Sequence, residues 1–274
     1  MKIKIKTVRA NIAAQAFAGL LLVGSTRGWE GDKSVAGLKQ DAASEYFQAP
    51  VTFEVNQGQA EHSVKFMARG LGYTLFLSPD NAVLSFFGSA PGEDDLAPNR
   101  AACVALKLVG ANREPKVSGK DELVAKSSYF LGNDPKKWRT NIPNFGEVHY
   151  ENIYPGIDLE YHGIQGRLEY DFIVAPGAKP QAIAVEIKGA KRIAVSPEGE
   201  LVLKAARGEV RFHKPYAYQS DGEKRQFVAA RYHLKCRNRV GFVIGAYDSK
   251  RPLIIDPVLS IGNPDSPLHA VTRD

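Results

Sequence analysis

Cysteine is scarce in this 274-residue chain, with two residues in all, so no disulfide framework can define the fold. None is required, because the roughly 245 residues left after the N-terminal segment described below bury roughly 70–75% of the unfolded surface through packing alone. Cys103 in AACVALKLVG and Cys236 in YHLKCRN both sit in strand-like runs. An oxidising compartment would permit one long-range bridge between them, and two separate thiols are the other reading. The short chemical motifs are missing too: there is no G-x-S-x-G, S-x-x-K, H-E-x-x-H, C-x-x-C or Gly-rich phosphate loop, so the common nucleophile, zinc and nucleotide sites have no signature here. The chain also lacks a long helical periodicity, an internal repeat of fixed period, and any Lys/Arg block interleaved with aromatics.

The excess of basic residues is concentrated at the start. MKIKIKTVRA carries four cations and no acid, and NIAAQAFAGLLLVGS follows as a mostly apolar run, the pattern of a secretory signal. That run is interrupted by Asn11 and Gln15 and is shorter than the roughly 20 residues of a spanning helix. Residues 1–26 are therefore expected to be removed, leaving no transmembrane span in the mature chain. Taking Lys2, Lys4, Lys6 and Arg9 from the 36 cations leaves 32 against 30 acids, so the net charge falls from +6 to +2. Nucleic acid is not an expected partner at that balance. An extracellular, cell-surface or periplasmic location follows from the signal.

From Val51 onward, short apolar runs recur every 8–12 residues or so between Gly, Pro, Asp and Asn clusters, the rhythm of an antiparallel all-β sandwich or barrel. VTFEV, SVKFMA, YTLFLS, AVLSFF and VALKLV come first, and EVHY, IDLEYH, RLEYDFIV, AVEIKG, ELVLKA, EVRFH, VGFVIG and PLIID follow residue 147. NDPKKWRTNIPNFG lies between the two groups and is rich in Pro and Asn. The expected architecture is all-β and sandwich-like, in two consecutive β units with few or no long helices. Its divisions are a signal at 1–26, a lead-in at 27–49, a first β unit at 50–132, an ordered connection at 133–146, a second β unit at 147–259 and a frayed tail at 260–274.

YPGIDLEYHGIQGRLEYDF at 154–172 carries the densest chemistry. Ile157, Leu159 and Tyr161 alternate with Asp158, Glu160 and His162, and Leu168, Tyr170 and Phe172 alternate with Arg167, Glu169 and Asp171. With GIQG as a four-residue hairpin loop, Asp158 falls opposite Asp171 and Glu160 opposite Glu169; any register that matches the apolar faces keeps all four carboxylates on one side. Like charges across a ladder are destabilising, so a compensating cation is expected: Arg167, Lys188 or Arg139 in a structural face, or calcium, which takes several oxygen ligands. A glycosidase pair is the third reading, since such enzymes hold two carboxyls about 5–9 Å apart, one with a raised pKa. His149, His162, His213 and His233 fall on the polar phase of their strands and are expected to be solvated. No residue is named as a catalytic group or metal ligand. Trp138, with Arg139 and Asn141, reads either as an exposed platform for a glycan or as a plug buried between the β units, the plug being favoured.

FEVNQGQ at 53–59, VKFMARGLGYTLFLSP at 64–79, YFLGNDPKKWRTNIPNF at 129–145, YPGIDLEYHG at 154–163, LEYDFIVAPGA at 168–178 and RPLIIDPVL at 251–259 together resemble the N-terminal β-rich domain of unknown function found in bacterial exported proteins. That domain often stands ahead of β-propeller repeats of the SBBP type. The resemblance covers residues 51–259 and implies an exported bacterial protein with an all-β fold. It brings no catalytic or binding residues, and no such repeat follows RPLIIDPVL before Asp274. The expected role is a non-enzymatic β module in structure or interaction at the cell surface or envelope, with a protein or glycan partner. The alternative is a carbohydrate-active protein.

Overall fold

The computed structural model describes residues 51–70, 72–87, 101–164, 167–222 and 224–262; the signal and lead-in segments lie outside them. The fold is all-β, as expected. In chain order the strands are β1 (Phe53–Val55), β2 (Phe66–Gly70), β3 (Tyr73–Ser78), β4 (Asn81–Phe87), β5 (Ala101–Leu108), β6 (Lys116–Tyr129), β7 (Arg139–Tyr154), β8 (Ile157–Ile164), β9 (Arg167–Val174) and β10 (Val185–Lys188). Then come β11 (Arg192–Val195), β12 (Leu201–Lys204), β13 (Glu209–Phe212), β14 (Tyr216–Asp221), β15 (Lys224–Val228), β16 (Ala230–Cys236), β17 (Arg239–Ile244), β18 (Leu253–Asp256) and β19 (Leu259–Gly262). Two short 3-10 turns, Pro135–Lys137 and Pro180–Ala182, are the helical elements among the described residues.

Fifteen strands form one antiparallel sheet in the order β15-β14-β18-β9-β8-β7-β1-β2-β3-β4-β5-β10-β17-β16, with β6 paired to β7 beside this path. β11, β12, β13 and β19 form a second sheet of four. Alternation explains the inner face. Leu75 and Leu77, Leu84 and Phe86, Ala102 and Val104, Leu159 and Tyr161, and Tyr170 and Phe172 are buried on alternate positions of their strands, so period-two patterning turns one face of each strand inward. The Phe172 ring meets Phe242 of β17 at 5.9 Å, and Tyr170 meets Phe212 of β13 at 6.1 Å. β9 therefore packs face to face with β17, near the far end of its own sheet, and with the small sheet. This is a sandwich around a single core cluster that runs from Val51 to Leu259.

The two expected β units share that core and that sheet: β1 pairs with both β2 and β7, and β5 pairs with β10. The expected connection at 133–146 is a strand from Arg139 onward. Its Pro143 is accommodated because this part of β7 pairs with β6 alone, and β1 joins only at Asn144 and Phe145; proline is tolerated where one side of a strand is unpaired. The first residues of the expected frayed tail, through Gly262, belong to β19 and pair with β13. Cys103 and Cys236 are free and exposed, so the bridge does not form.

Candidate functional site

β8 and β9 pair with Glu160 opposite Asp171 and His162 opposite Glu169. The register is shifted by two residues from expectation because the ladder continues through Gly163 and Ile164. A glycine is required at 163, where a Cβ would stand 2.5 Å from the Val51 Cβ. A shift of two preserves the face, and Ile157, Leu159, Tyr161, Leu168, Tyr170 and Phe172 are all buried on the other side.

The carboxylates are compensated by groups that sequence reasoning missed. Lys120 of β6 reaches across β7 to Glu160, Nζ to Oε2 2.6 Å. His149 of β7 lies between two acids, with Nδ1 3.0 Å from Glu160 Oε2 and Nε2 3.4 Å from Asp158 Oδ2. The Asn152 amide donates to Asp158 Oδ1 at 2.7 Å, and His162 Nε2 stands 3.3 Å from Asp171 Oδ2. The expected cations are elsewhere: Lys188 lies 3.8 Å from Glu186, Arg139 donates to the Gln57 carbonyl, and Arg167 is at the hairpin end opposite Ile164. Glu169 is 1% exposed, and the chain beyond β18 runs on beside β9 in the same antiparallel register, bridging Glu169 through Val258. The histidines at 149 and 162 are thus half-buried partners of acids.

These contacts shift the titrations. Burial alone would raise the Glu160 carboxyl, but its hydrogen bonds to Lys120 and His149 outweigh that and hold it below the usual carboxylate range. A glycosidic general acid needs the opposite shift. Glu147 is raised, first by burial and then by the charges of Glu160 and Asp121. Among the described residues no group of three or more His, Cys, Asp and Glu side chains could hold a metal ion. Three of the four carboxylates, those of Asp158, Glu160 and Asp171, meet a lysine or a histidine on this face.

These pairings predict a pH dependence. Burial pulls the His162 imidazole down, but the Asp171 hydrogen bond and the charges of Asp171, Glu169 and Asp256 outweigh it and raise the pKa. A folded-state value above the unfolded one, about 6.5, adds stability that is fully present below that pH and is lost as pH rises through the folded value. Thermal melts from about pH 6 to about pH 8.5 should show the wild type losing stability relative to His162→Gln. Parallel profiles would contradict the assignment.

A hydroxyl, an imidazole and a carboxylate line up elsewhere: Ser260 Oγ is 2.5 Å from His213 Nε2, and His213 Nδ1 is 2.8 Å from Glu200 Oε1. That order resembles a nucleophile relay. Acyl transfer also needs donors aimed at an oxyanion, and Arg211, the cation opposite Ser260 in the β13–β19 ladder, is engaged by Glu200 at 3.0 Å and Glu209 at 2.6 Å. The group ties β19 to the turn before β12.

The third feature is an arm. β6 pairs with β7 alone, and the hairpin closes in a turn in which residues 130–138 are all exposed. The last pair of the hairpin ladder before the turn, Tyr129 and Arg139, is anchored to the sheet: Tyr129 and Arg69 share Glu54 in a hydrogen-bonded group, and Arg139 Nε donates to the Gln57 carbonyl at 3.1 Å. At the tip Asp134 caps the turn Pro135–Lys137 by accepting from the Lys136 amide, and the Trp138 indole N–H donates to the Gly132 carbonyl at 3.1 Å. Trp138 packs edge-on against Phe130, ring centroids 5.2 Å apart.

Trp138 is 37% exposed, which corrects the expected buried plug. Its partners are the tip residues themselves, because the strands that would have to cover it pair below the turn. Phe130 is 62% and Leu131 67% exposed, and Val124 on the same arm is 99% exposed. Arg139 and Asn141 do not join Trp138 in a polar platform. The Arg139 guanidinium faces main-chain carbonyls of Gln57, Lys137 and Trp138, and Asn141, at φ 58°, donates its amide to Ser128 Oγ. What remains at the tip is apolar and cationic.

No helix among the described residues is long and apolar enough to cross a membrane. No curated protein and no solved structure matches the chain. A family model described as Domain of unknown function (DUF7948) matches residues 53–258, and the chain belongs to that family.

Proposed function

We propose that this protein is a non-enzymatic β module, exported to the cell surface or envelope, that works by contact through the tip of the β6–β7 arm. The observation that carries the reading is the run of nine exposed residues at 130–138, where Phe130, Leu131 and Trp138 face outward on an anchored hairpin. Isolated exposed apolar residues need no explanation, but a contiguous group on a hairpin turn marks a contact site. The cationic start and apolar run within residues 1–26 support export. The motifs that resemble the bacterial domain preceding SBBP-type repeats support a surface role.

A contact tip contributes little to the fold that carries it. The combined variant Phe130→Ser, Leu131→Ser, Trp138→Ser should unfold in urea within about 1 kcal/mol of the wild type, as surface substitutions do. A loss of about 3 kcal/mol or more, the cost of truncating a core aromatic, would show that the tip is structural and overturn the reading.

A further inference from the structure

We infer that the arm tip docks on an anionic lipid bilayer, with Phe130, Leu131 and Trp138 entering the interface and Lys136 and Lys137 facing the headgroups. The inference rests on the reading of the tip as a contact site and names its partner.

Charge selects the partner first. Residues 130–139, FLGNDPKKWR, hold three cations and one acid, Asp134. Lys136 and Lys137 are fully within the exposed run, and the hydrogen bonds of Arg139 go to uncharged carbonyls. By contrast Lys126, lower on the arm, is paired with Glu122 at 2.5 Å. Three cations against one acid leave residues 130–139 at a net +2 next to the three apolar side chains. Each cation brought to an anionic lipid surface raises partitioning by about fivefold.

Size and shape select it second. The exposed parts of two aromatic rings and a leucine amount to on the order of 300 Å², well short of the roughly 800 Å² per partner of a stable protein–protein interface. A bilayer needs no matching surface. Tryptophan, with an apolar ring and an N–H, suits the interfacial layer, and lysine stems lie along apolar surface with their ammonium groups in the headgroups. The two-stranded hairpin, its turn fixed by the Asp134 cap and the Trp138–Gly132 hydrogen bond, presents these groups already ordered.

The test is sedimentation of the full chain with vesicles of phosphatidylcholine alone and of phosphatidylcholine mixed with phosphatidylglycerol. Wild type should partition to the anionic vesicles at least tenfold more strongly than the Phe130→Ser, Leu131→Ser, Trp138→Ser variant, and more strongly than to neutral vesicles. Salt should weaken the binding, as the Debye length shrinks to about 3 Å at 1 M. Lys136→Glu, Lys137→Glu should reduce it with the apolar residues intact. All these proteins carry the same N-terminal segment, so differences among them report the tip. No binding, equal binding to neutral and anionic vesicles, or equal binding by wild type and variants overturns the lipid assignment. If the variants keep wild-type stability in that case, the contact reading stands and only its partner is wrong; a collapse in stability removes both.

Discussion

Replacing Phe172 by alanine is expected to lower the free energy of unfolding by about 3–5 kcal/mol, the range for a fully buried aromatic. The position joins the parts of the sandwich. Phe172 is opposite Leu159 of β8 and Ile255 of β18 in the sheet. Its fully buried ring meets Tyr170 edge-on at 5.9 Å and Phe242 of β17 at 5.9 Å. Truncation removes the transfer energy of the ring, leaves a cavity between β9 and β17, and loses two aromatic contacts of about 0.5–1.5 kcal/mol each. Urea midpoints at an unchanged slope would measure it. Phe172→Leu should recover a large part by refilling volume, and an alanine variant within 1 kcal/mol or so of wild type would mean that β9 does not pack against β17.

Gly189→Ala should cost at least about 2 kcal/mol for a different reason. Gly189 follows β10 with φ +87°, in the left-handed region, where a Cβ costs about 1–2 kcal/mol. That Cβ would also stand 2.1 Å from the Cys103 main-chain oxygen. β5 pairs with β10 up to Ala105 opposite Lys188, so the obstructing atom is backbone in a neighbouring strand and cannot rotate away. Either β5 or the β10–β11 connection must move. Gly110→Ala is the matched control, since its φ is +74° with nothing within 4 Å of the added Cβ. Melting both variants separates clash from conformation, and equal losses would argue against the close approach of β5.

What could be read ahead of the structure, and what could not, divides along contact range. Alternation over 157–172 is a local signal, and it placed Asp158, Glu160, Glu169 and Asp171 on one face with six apolar side chains on the other. The register was off by two because GIQG reads as a loop, whereas Gly163 extends the ladder beneath Val51. Lys120 and His149 come from strands whose pairing no local pattern reveals. Glu169 obeys alternation yet is buried, which the local pattern does not signal. The arm was hidden by Pro143 and the Asn residues of β7, which look like breakers until β7 is seen to pair there on one side alone. Trp138 was misplaced for the same reason: a loop tryptophan between two β units suggests a plug, and a tip tryptophan on a hairpin between them is not distinguishable by composition.

Trp138 is one of two tryptophans, the other being Trp29, so Trp29→Phe leaves it as the single emitter, and collisional quenching then reads the tip directly. With Lys136, Lys137 and Arg139 next in sequence to a Trp138 that is 37% exposed, iodide should quench the folded protein efficiently and caesium much less, the gap closing as added salt screens the charges. Emission protected from both ions would put Trp138 in a core and contradict the arm as a contact surface.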